Sequence, residues 1–269
     1  MPQDFTAPVL SNIDLGHRNF LLEFAAADVA SATEPGQFFM IGIPHADILL
    51  RRPFSVCGVP GTFDESEAGR LQVLYKCVGA GTDLLATLKE GARLHVLGPL
   101  GRGFSMPDSP RSRPLLVAGG IGSAPFPALA RSFLAAGIIP RMIYGARSAA
   151  DLPLLDWFRK SCSDVLVTTD DGSHGTKGLV TAPLADLLAA DGKDTIVYAC
   201  GPEPMLRAVA RLTIGAGVPC ELSLEAHMAC GFGVCLGCVV PTRTGPSGDT
   251  GYERVCVEGP VMRAERLAW

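Results

Sequence analysis

The chain has 269 residues, 48% of them hydrophobic, and a formal net charge of −4. That balance leaves no electrostatic footprint for nucleic acid, no apolar run reaches the length of a membrane span, and Met1-Pro-Gln-Asp-Phe-Thr6 lacks the basic and apolar regions of a secretory leader. The nine cysteines are an odd count and four have metal-type spacing, which fits a reducing, cytoplasmic setting better than a disulfide scaffold.

The length allows two domains plus a small module, or one large domain. Residues 1 to about 105 read as β-rich. Short apolar or alternating runs recur at 20–24, 37–41, 71–76 and 93–97, set apart by Glu34-Pro-Gly36, Val59-Pro-Gly61 and Gly98-Pro-Leu-Gly101. This spacing predicts a small antiparallel β-barrel. One helix is expected over 82–89, with Thr82 as its N-cap and Gly91 as its stop. Two stretches here carry chemistry. In Arg51-Arg-Pro-Phe-Ser55, Arg52 offers a planar fork suited to a pyrophosphate. Gly79-Ala-Gly81-Thr82 stands at a strand-to-helix junction, where free amides suit phosphate. Each also has a plain reading: a surface charge beside a rigid proline, and a simple turn.

Residues 106–114 are polar and proline-rich and read as a linker. Beyond them strands and helices alternate. Strands are expected at 114–118, 141–144, 164–169 and 195–199, and helices at 127–136, 152–160 and 182–190, with a last helix opened by Cys200-Gly-Pro-Glu-Pro-Met205. Repeated alternation means a parallel sheet with helices on both faces, and ligands then bind at the carboxyl ends of the strands. Gly119-Gly-Ile-Gly122 follows the first strand and departs from the G-x-G-x-x-G fingerprint, because Pro125 takes the last place. Gly201 and Pro202 form a second loop of the same kind, so the two should border one cleft. In the loop after residue 169, Asp170 or Asp171 is placed either to accept from a ribose or to close a solvated Asx turn.

Cys230, Cys235 and Cys238 have the C-x4-C-x2-C spacing of a plant-type [2Fe–2S] site, and Cys256 supplies a distant fourth thiolate. Gly231, Gly233 and Gly237 let the loop wrap closely around a small cluster. A structural zinc site favours two matched pairs and fits less well; ordinary buried cysteines are the remaining alternative. His227 is close in sequence, but four cysteines already suffice. Val239-Val-Pro-Thr-Arg-Thr244 reads as a strand and 245–251 as a turn.

In order, Arg52-Pro-Phe-Ser55, Gly79-x-Gly-Thr82, Gly119-Gly-Ile-Gly122 and Cys200-Gly-Pro-Glu-Pro-Met205 resemble the ferredoxin-NADP reductase superfamily. Adding Glu225-Ala-His-Met-Ala-Cys-Gly-Phe-Gly-Val-Cys-Leu-Gly-Cys238 and Val255-Cys-Val-Glu-Gly-Pro260, the chain resembles the electron-transfer subunits of type B, NAD-dependent dihydroorotate dehydrogenases. The segment Thr168-Thr-Asp-Asp-Gly-Ser173, with Lys177-Gly178 and Thr181, also looks like that subfamily. The resemblance implies an α+β multidomain chain. Residues 1–105 would form an FAD-binding antiparallel β-barrel, 112–220 a doubly wound NAD-binding α/β domain, and 221–269 a [2Fe–2S] module. It assigns Arg52, Pro53, Phe54, Ser55, Leu74, Tyr75, Lys76, Gly81 and Thr82 to FAD. Arg52 would face the pyrophosphate and Ser55 the isoalloxazine edge; many relatives have tyrosine at the position of Phe54. Gly120, Gly122, Asp171, Gly201, Pro202 and Met205 would lie near the nicotinamide nucleotide, with Cys200 close by but without a base to make it a nucleophile.

The implied activity is electron transfer from the FMN of a dihydroorotate dehydrogenase catalytic subunit, via [2Fe–2S] and FAD, to NAD+ in pyrimidine biosynthesis. The partner is expected in a heterotetramer. No stretch reads as a dihydroorotate pocket, so the overall reaction should need that partner. The Asp170-Asp171 pair favours NAD over NADP. Related relays serve sulfide dehydrogenases, ferredoxin:NAD(P) oxidoreductases and hydrogenase diaphorases, and all-cysteine ligation favours the dihydroorotate reading. A zinc-binding interaction protein is the rival from another class.

Overall fold

The computed structural model describes residues 2–44, 48–64, 68–109, 111–244 and 249–269. Its first unit is a closed six-stranded barrel. The strands are β1 (Gln3–Asp14), β2 (Asn19–Ala25), β3 (Phe38–Gly42), β4 (Arg52–Gly58), β5 (Arg70–Lys76) and β6 (Arg93–Leu100), and they pair in the order β1-β2-β5-β4-β3-β6. A short helix α1 (Ala27–Ala30) follows β2, and α2 (Ala80–Ala86) follows β5. Alternation with a period of two sends Leu22, Phe24, Phe39, Ile41, Val56, Val73 and Val96 into the barrel interior. Strand β3 is buried on both faces, because Phe38 and Met40 point outward into a second core. That is why Phe38-Phe-Met-Ile41 is a continuous apolar run rather than an alternating one.

Strands β1 and β4 are absent from the sequence expectation. Only Ala7 and Val9 of β1 are fully buried, too few for a periodic signal. Strand β4 is hidden by its own chemistry, since Arg52-Pro-Phe-Ser55 reads as a binding loop. Thr82 is not the N-cap of α2: the helix begins at Ala80, two residues earlier. The Thr82 hydroxyl instead accepts from the amides of Val78 (2.8 Å) and Gly79 (3.2 Å) and donates to the Gly79 carbonyl (2.9 Å), bracing the turn from inside the helix.

The second unit alternates β7 (Arg113–Gly119), α3 (Phe126–Ala135), β8 (Arg141–Ala146), α4 (Leu155–Ser161), β9 (Asp164–Thr169), β10 (Thr176–Lys177), α5 (Thr181–Asp191), β11 (Thr195–Cys200), α6 (Glu203–Ala216) and β12 (Cys220–Ser223). The cysteine-rich segment follows, with a hairpin of β13 (Val239–Thr244) and β14 (Asp249–Arg254), and then β15 (Val261–Arg263). The sheet order is β10-β9-β8-β7-β11-β12-β15, parallel except for β15, which pairs antiparallel with β12. Leu116, Ala118, Met142 and Tyr144 pack beneath α3 and α4, while Leu115, Val117, Ile143 and Val197 pack beneath α5 and α6. The sheet is therefore doubly wound, as expected. Residues 245–248 of the expected turn and Pro110 of the expected linker lie outside the described residues. Among the described residues no helix is long and apolar enough to cross a membrane.

Barrel and sheet meet along a polar and an apolar seam. Leu74 and Cys57 pack on Ala124. Arg131 of α3 donates from Nε to the Gly61 carbonyl at 2.7 Å. Lys76 at the end of β5 is ion-paired with Asp151, whose other carboxylate oxygen accepts from Ser148 at 3.1 Å. The hydrogen bond from Lys76 holds the Asp151 carboxyl below its ordinary range, against the opposing effect of burial. A depressed carboxyl contributes stability above its unfolded value of about 3.9 and loses it as pH falls through the folded value. Asp151→Asn should cost about 1 kcal/mol or less at pH 7. The difference in urea midpoint between variant and parent should close as pH drops below about 4. A difference that stays constant with pH would remove this ion pair from the docking of the two units.

Candidate functional site

Three groups of the sequence-selected residues converge at the junction of barrel, sheet and cysteine segment. The first lies at one end of the barrel. Ile41, Ile43, Phe54 and Leu85 line an apolar cleft whose polar wall is Arg52, set over Gly81. A β-carbon on Gly81 would stand 2.3 Å from Arg52 Nε, so only glycine lets the guanidinium lie there. Arg52 also donates to the Leu50 carbonyl. Pro53 and Ser55 alternate with Phe54, which enters the barrel core and meets Tyr75 edge-on at 5.8 Å. Tyr75 itself is buried, stacks on Phe20 and donates from its hydroxyl to Asn12 at 3.1 Å. Its side chain therefore supports Phe54 from within the barrel. Leu74 and Lys76, pointing the other way, face the sheet.

The second group sits at the carboxyl ends of β7 and β11. Sequential strands β7, β8 and β9 run to one side of β7, and β11 and β12 to the other, so the switch point where nucleotides bind falls between β7 and β11. The two glycine loops meet there with no room between them. A β-carbon on Gly122 would lie 2.5 Å from the Cys200 carbonyl oxygen and 2.6 Å from Gly201 Cα; one on Gly119 would lie 2.7 Å from Met205 Sδ and 2.8 Å from Pro202 Cδ. Gly120 has φ +54°, and its open side faces the Asp151 carbonyl. Burial pushes the Cys200 thiol up to about 12, with Ser223 as hydrogen-bond partner. It is a neutral thiol at physiological pH, not a nucleophile. Asp171 stands apart on an exposed loop, where its Oδ1 accepts from the Ser173 amide (2.9 Å) and hydroxyl (2.6 Å). Those bonds hold its carboxyl below the ordinary range, and the Asx turn is the geometry the structure shows.

The third group is the cysteines. The Cys235 amide donates to the Cys230 sulfur at 3.5 Å, and Cys238 and Cys256 are both buried in one apolar core. Three thiols on one loop and a fourth on a distant turn match the plant-type two-iron pattern, whereas structural zinc favours two matched C-x2–4-C pairs. The backbone also fits. Burial acts to raise the Cys230 thiol, but the amides of Cys235, Phe232 and Val234 and the Cys235 thiol outweigh it and bring it down to about 6. Burial and then Cys238 push Cys256 up to about 12, opposed by the Gly233 amide. Donors aimed at sulfur are what a thiolate-held cluster needs. Cys238 and Cys256 are 4% and 2% exposed, whereas Cys235 is open to solvent, so one pair faces inward and the other outward.

A contact that sequence could not supply joins the first and third groups. A β-carbon on Gly231 would lie 2.4 Å from Met40 Cγ, so the cysteine loop rests directly on β3. Met40 is the ladder partner of Pro53 in β4. The loop after Cys230 is thereby separated from the Arg52–Ser55 stretch by one strand. Asp151, the partner of Lys76 across the cleft, was likewise without any local signal.

A barrel and a doubly wound sheet meeting at a glycine-lined cleft, with paired cysteines against the barrel, define a ferredoxin reductase-type oxidoreductase carrying an iron–sulfur module. Residues 225–268 match the iron-sulfur cluster binding domain of dihydroorotate dehydrogenase B, and residues 116–211 match the oxidoreductase NAD-binding domain. The chain is 38% identical to the dihydroorotate dehydrogenase B (NAD(+)) electron transfer subunit of Bacillus caldolyticus over 253 residues, 93% of each chain. With that of Desulforamulus reducens it shares 35% identity over 271 residues, 100% of each. The chain belongs to this family of electron transfer subunits. Among solved structures, an NADH-dependent reduced ferredoxin-NADP oxidoreductase superposes with a TM-score of 0.83 at 29% identity, covering 98% of this chain and 90% of that one. A ferredoxin NADP+ reductase from Neisseria gonorrhoeae, solved with FAD and NADP, shares the fold at a TM-score of 0.66 and 15% identity, covering 80% of this chain and 92% of that one.

Two glycine substitutions separate cofactor chemistry from folding. In Gly81→Ala the new methyl meets the end of a flexible arginine, so the fold should survive while Arg52 swings away and flavin content of the purified protein falls. In Gly122→Ala the methyl meets backbone that cannot yield, which should cost about 1–3 kcal/mol and weaken NADH binding measured by fluorescence quenching. Equal flavin loss in both would mean that the two glycine sites are not distinct.

Proposed function

We propose that this chain links oxidation of dihydroorotate on a catalytic partner to reduction of NAD+, as one step of pyrimidine (UMP) biosynthesis in the cytoplasm. The partner is an FMN-containing catalytic subunit, and the assembly a heterotetramer. One observation carries this reading: the cysteine loop rests on Met40, directly across the ladder from Pro53. A site for one-electron transfer thus lies beside a candidate flavin site, which in turn lies beside the nucleotide cleft.

NAD+ exchanges a hydride, a [2Fe–2S] cluster one electron at a time, and FAD supplies the conversion between the two. The residues divide that work. Arg52 and the amides around Gly81 and Thr82 would hold the FAD pyrophosphate; Pro53, Phe54 and Ser55 would line its ring, and Leu74, Tyr75 and Lys76 of β5 would complete the site behind them. Gly120, Gly122, Gly201, Pro202 and Met205 leave backbone close to the switch point for NAD, with Asp171 at the outer loop. Cys230, Cys235, Cys238 and Cys256 would hold the cluster. Phe232, Val234 and Leu236, 54%, 72% and 58% exposed, surround the outer thiol pair and would face the partner.

The likeness to the NADH-dependent ferredoxin-NADP oxidoreductase supports a second reading, in which the same relay serves a ferredoxin:NAD(P) oxidoreductase. Purified protein should show flavin bands with a broad red-shifted shoulder, and a colourless protein would end both readings. Adding the FMN-containing subunit should give dihydroorotate-dependent NAD+ reduction; its failure, with spectra intact, would pass the assignment to the second reading. Cys230→Ser should bleach the cluster while part of the NADH–dye activity persists. Loss of FAD with the cluster kept would overturn the placement of both centres.

A further inference from the structure

The cluster ligands come from two separate pieces of chain, and one side chain ties them together. Cys230, Cys235 and Cys238 lie on the loop before β13, whereas Cys256 lies in the turn after β14. That turn is closed by backbone bonds from the amides of Val257 (3.1 Å) and Glu258 (2.9 Å) to the Arg254 carbonyl. Glu258 folds back over it. Its Oε2 accepts from the Arg254 amide (2.7 Å) and Nε (3.1 Å), and its Oε1 accepts from Nη2 (2.6 Å). One donor edge of the guanidinium is left, and Nη1 uses it to reach the Gly233 carbonyl at 3.2 Å. Gly233 lies midway between Cys230 and Cys235.

The approach is close. Gly233 has φ +89°, and a β-carbon on it would stand 2.6 Å from Val257 Cγ2 and 3.1 Å from Arg254 Nη1. Gly233 thus sits directly against the turn that carries Cys256. Arg254, on the strand that leads into the fourth ligand's turn, grips the loop that carries the first two ligands. Reduction potentials of iron–sulfur centres follow net charge, solvent exposure and hydrogen bonds to sulfur, so a cation that fixes the loop against the turn bears on the potential as well as the geometry.

We infer that Arg254 is a positioning residue: its guanidinium fork, held by Glu258, locks the Gly233 peptide so that the first-ligand loop and the Cys256 turn form one cluster site. This rests on the reading of the four cysteines as [2Fe–2S] ligands. Lysine keeps the charge but is a point donor on a flexible stem, and cannot hold Glu258 by two donors while reaching Gly233. The fork, not the charge alone, is what the geometry uses.

The test is EPR-monitored redox titration together with the rate of iron loss to a chelator, on the full chain. Arg254→Gln should lose iron about tenfold faster and have a more negative midpoint, about 59 mV for a tenfold change in the one-electron equilibrium. Arg254→Lys should show the same two changes to a smaller extent, and it decides the matter if the glutamine variant does not accumulate. Glu258→Gln should fall between Arg254→Lys and the parent. A parental midpoint and parental iron-loss rate in Arg254→Lys would overturn the inference. A parent protein without a [2Fe–2S] signal would instead overturn the ligand reading on which it stands, so the two failures are distinguishable.

Discussion

The contact of Gly231 with Met40 is the constraint on which the arrangement depends. Met40 belongs to a strand that is buried on both sides, with Phe39 and Ile41 in the barrel and Phe38 and Met40 in the core that also holds Cys238, Val255 and Cys256. Fully burying a side chain of this size is worth roughly 1.5–3 kcal/mol. The same apolar surface therefore stabilises the barrel wall and seats the cysteine segment. A methyl group in place of the Gly231 hydrogen would push the loop off β3, and with it the thiols away from β4. Electron transfer is served by the way two cores share one strand.

The sheet makes a second join of the same kind. Strand β12 ends the parallel run, the chain then leaves to form the cysteine loop and hairpin, and β15 returns to pair with β12. Leu224 donates to the Pro260 carbonyl at 2.9 Å and Arg102 to the Gly259 carbonyl at 2.6 Å. The segment is thus clamped where it leaves and where it comes back, and again to the end of the barrel. Candidate flavin, nucleotide and cluster sites are neighbours because three units share backbone ladders and apolar cores, not because a linker holds them near one another.

Much of this was legible in the residues. The barrel runs, the strand–helix alternation and the cysteine spacing are local signals, and each corresponds to an element or a group in the structure. What escaped did so for identifiable physical reasons. Strand β1 is mostly half-exposed, so it has no period to read. Strand β4 contains Arg52 and Pro53, whose chemistry outweighs their strand propensity. Thr82 was misplaced because a hydroxyl can brace a first turn from within as well as cap it. The ion pair of Lys76 with Asp151 joins residues 75 positions apart, and the grip of Arg254 on Gly233 spans 21. Pairings at that separation exist only once the fold has brought the partners together.

Strand β15 and Cys256 also put the parts in an order of time. Synthesis delivers the barrel first, then most of the sheet, then three cysteines, and only afterwards the fourth; units made early fold as units. Until β15 arrives, β12 is an open edge, the kind of surface that pairs with the wrong chain. Its arrival closes that edge and brings the Cys256 turn into register in the same movement. Protection of the sheet edge and the return of the fourth candidate cysteine therefore depend on the same short strand.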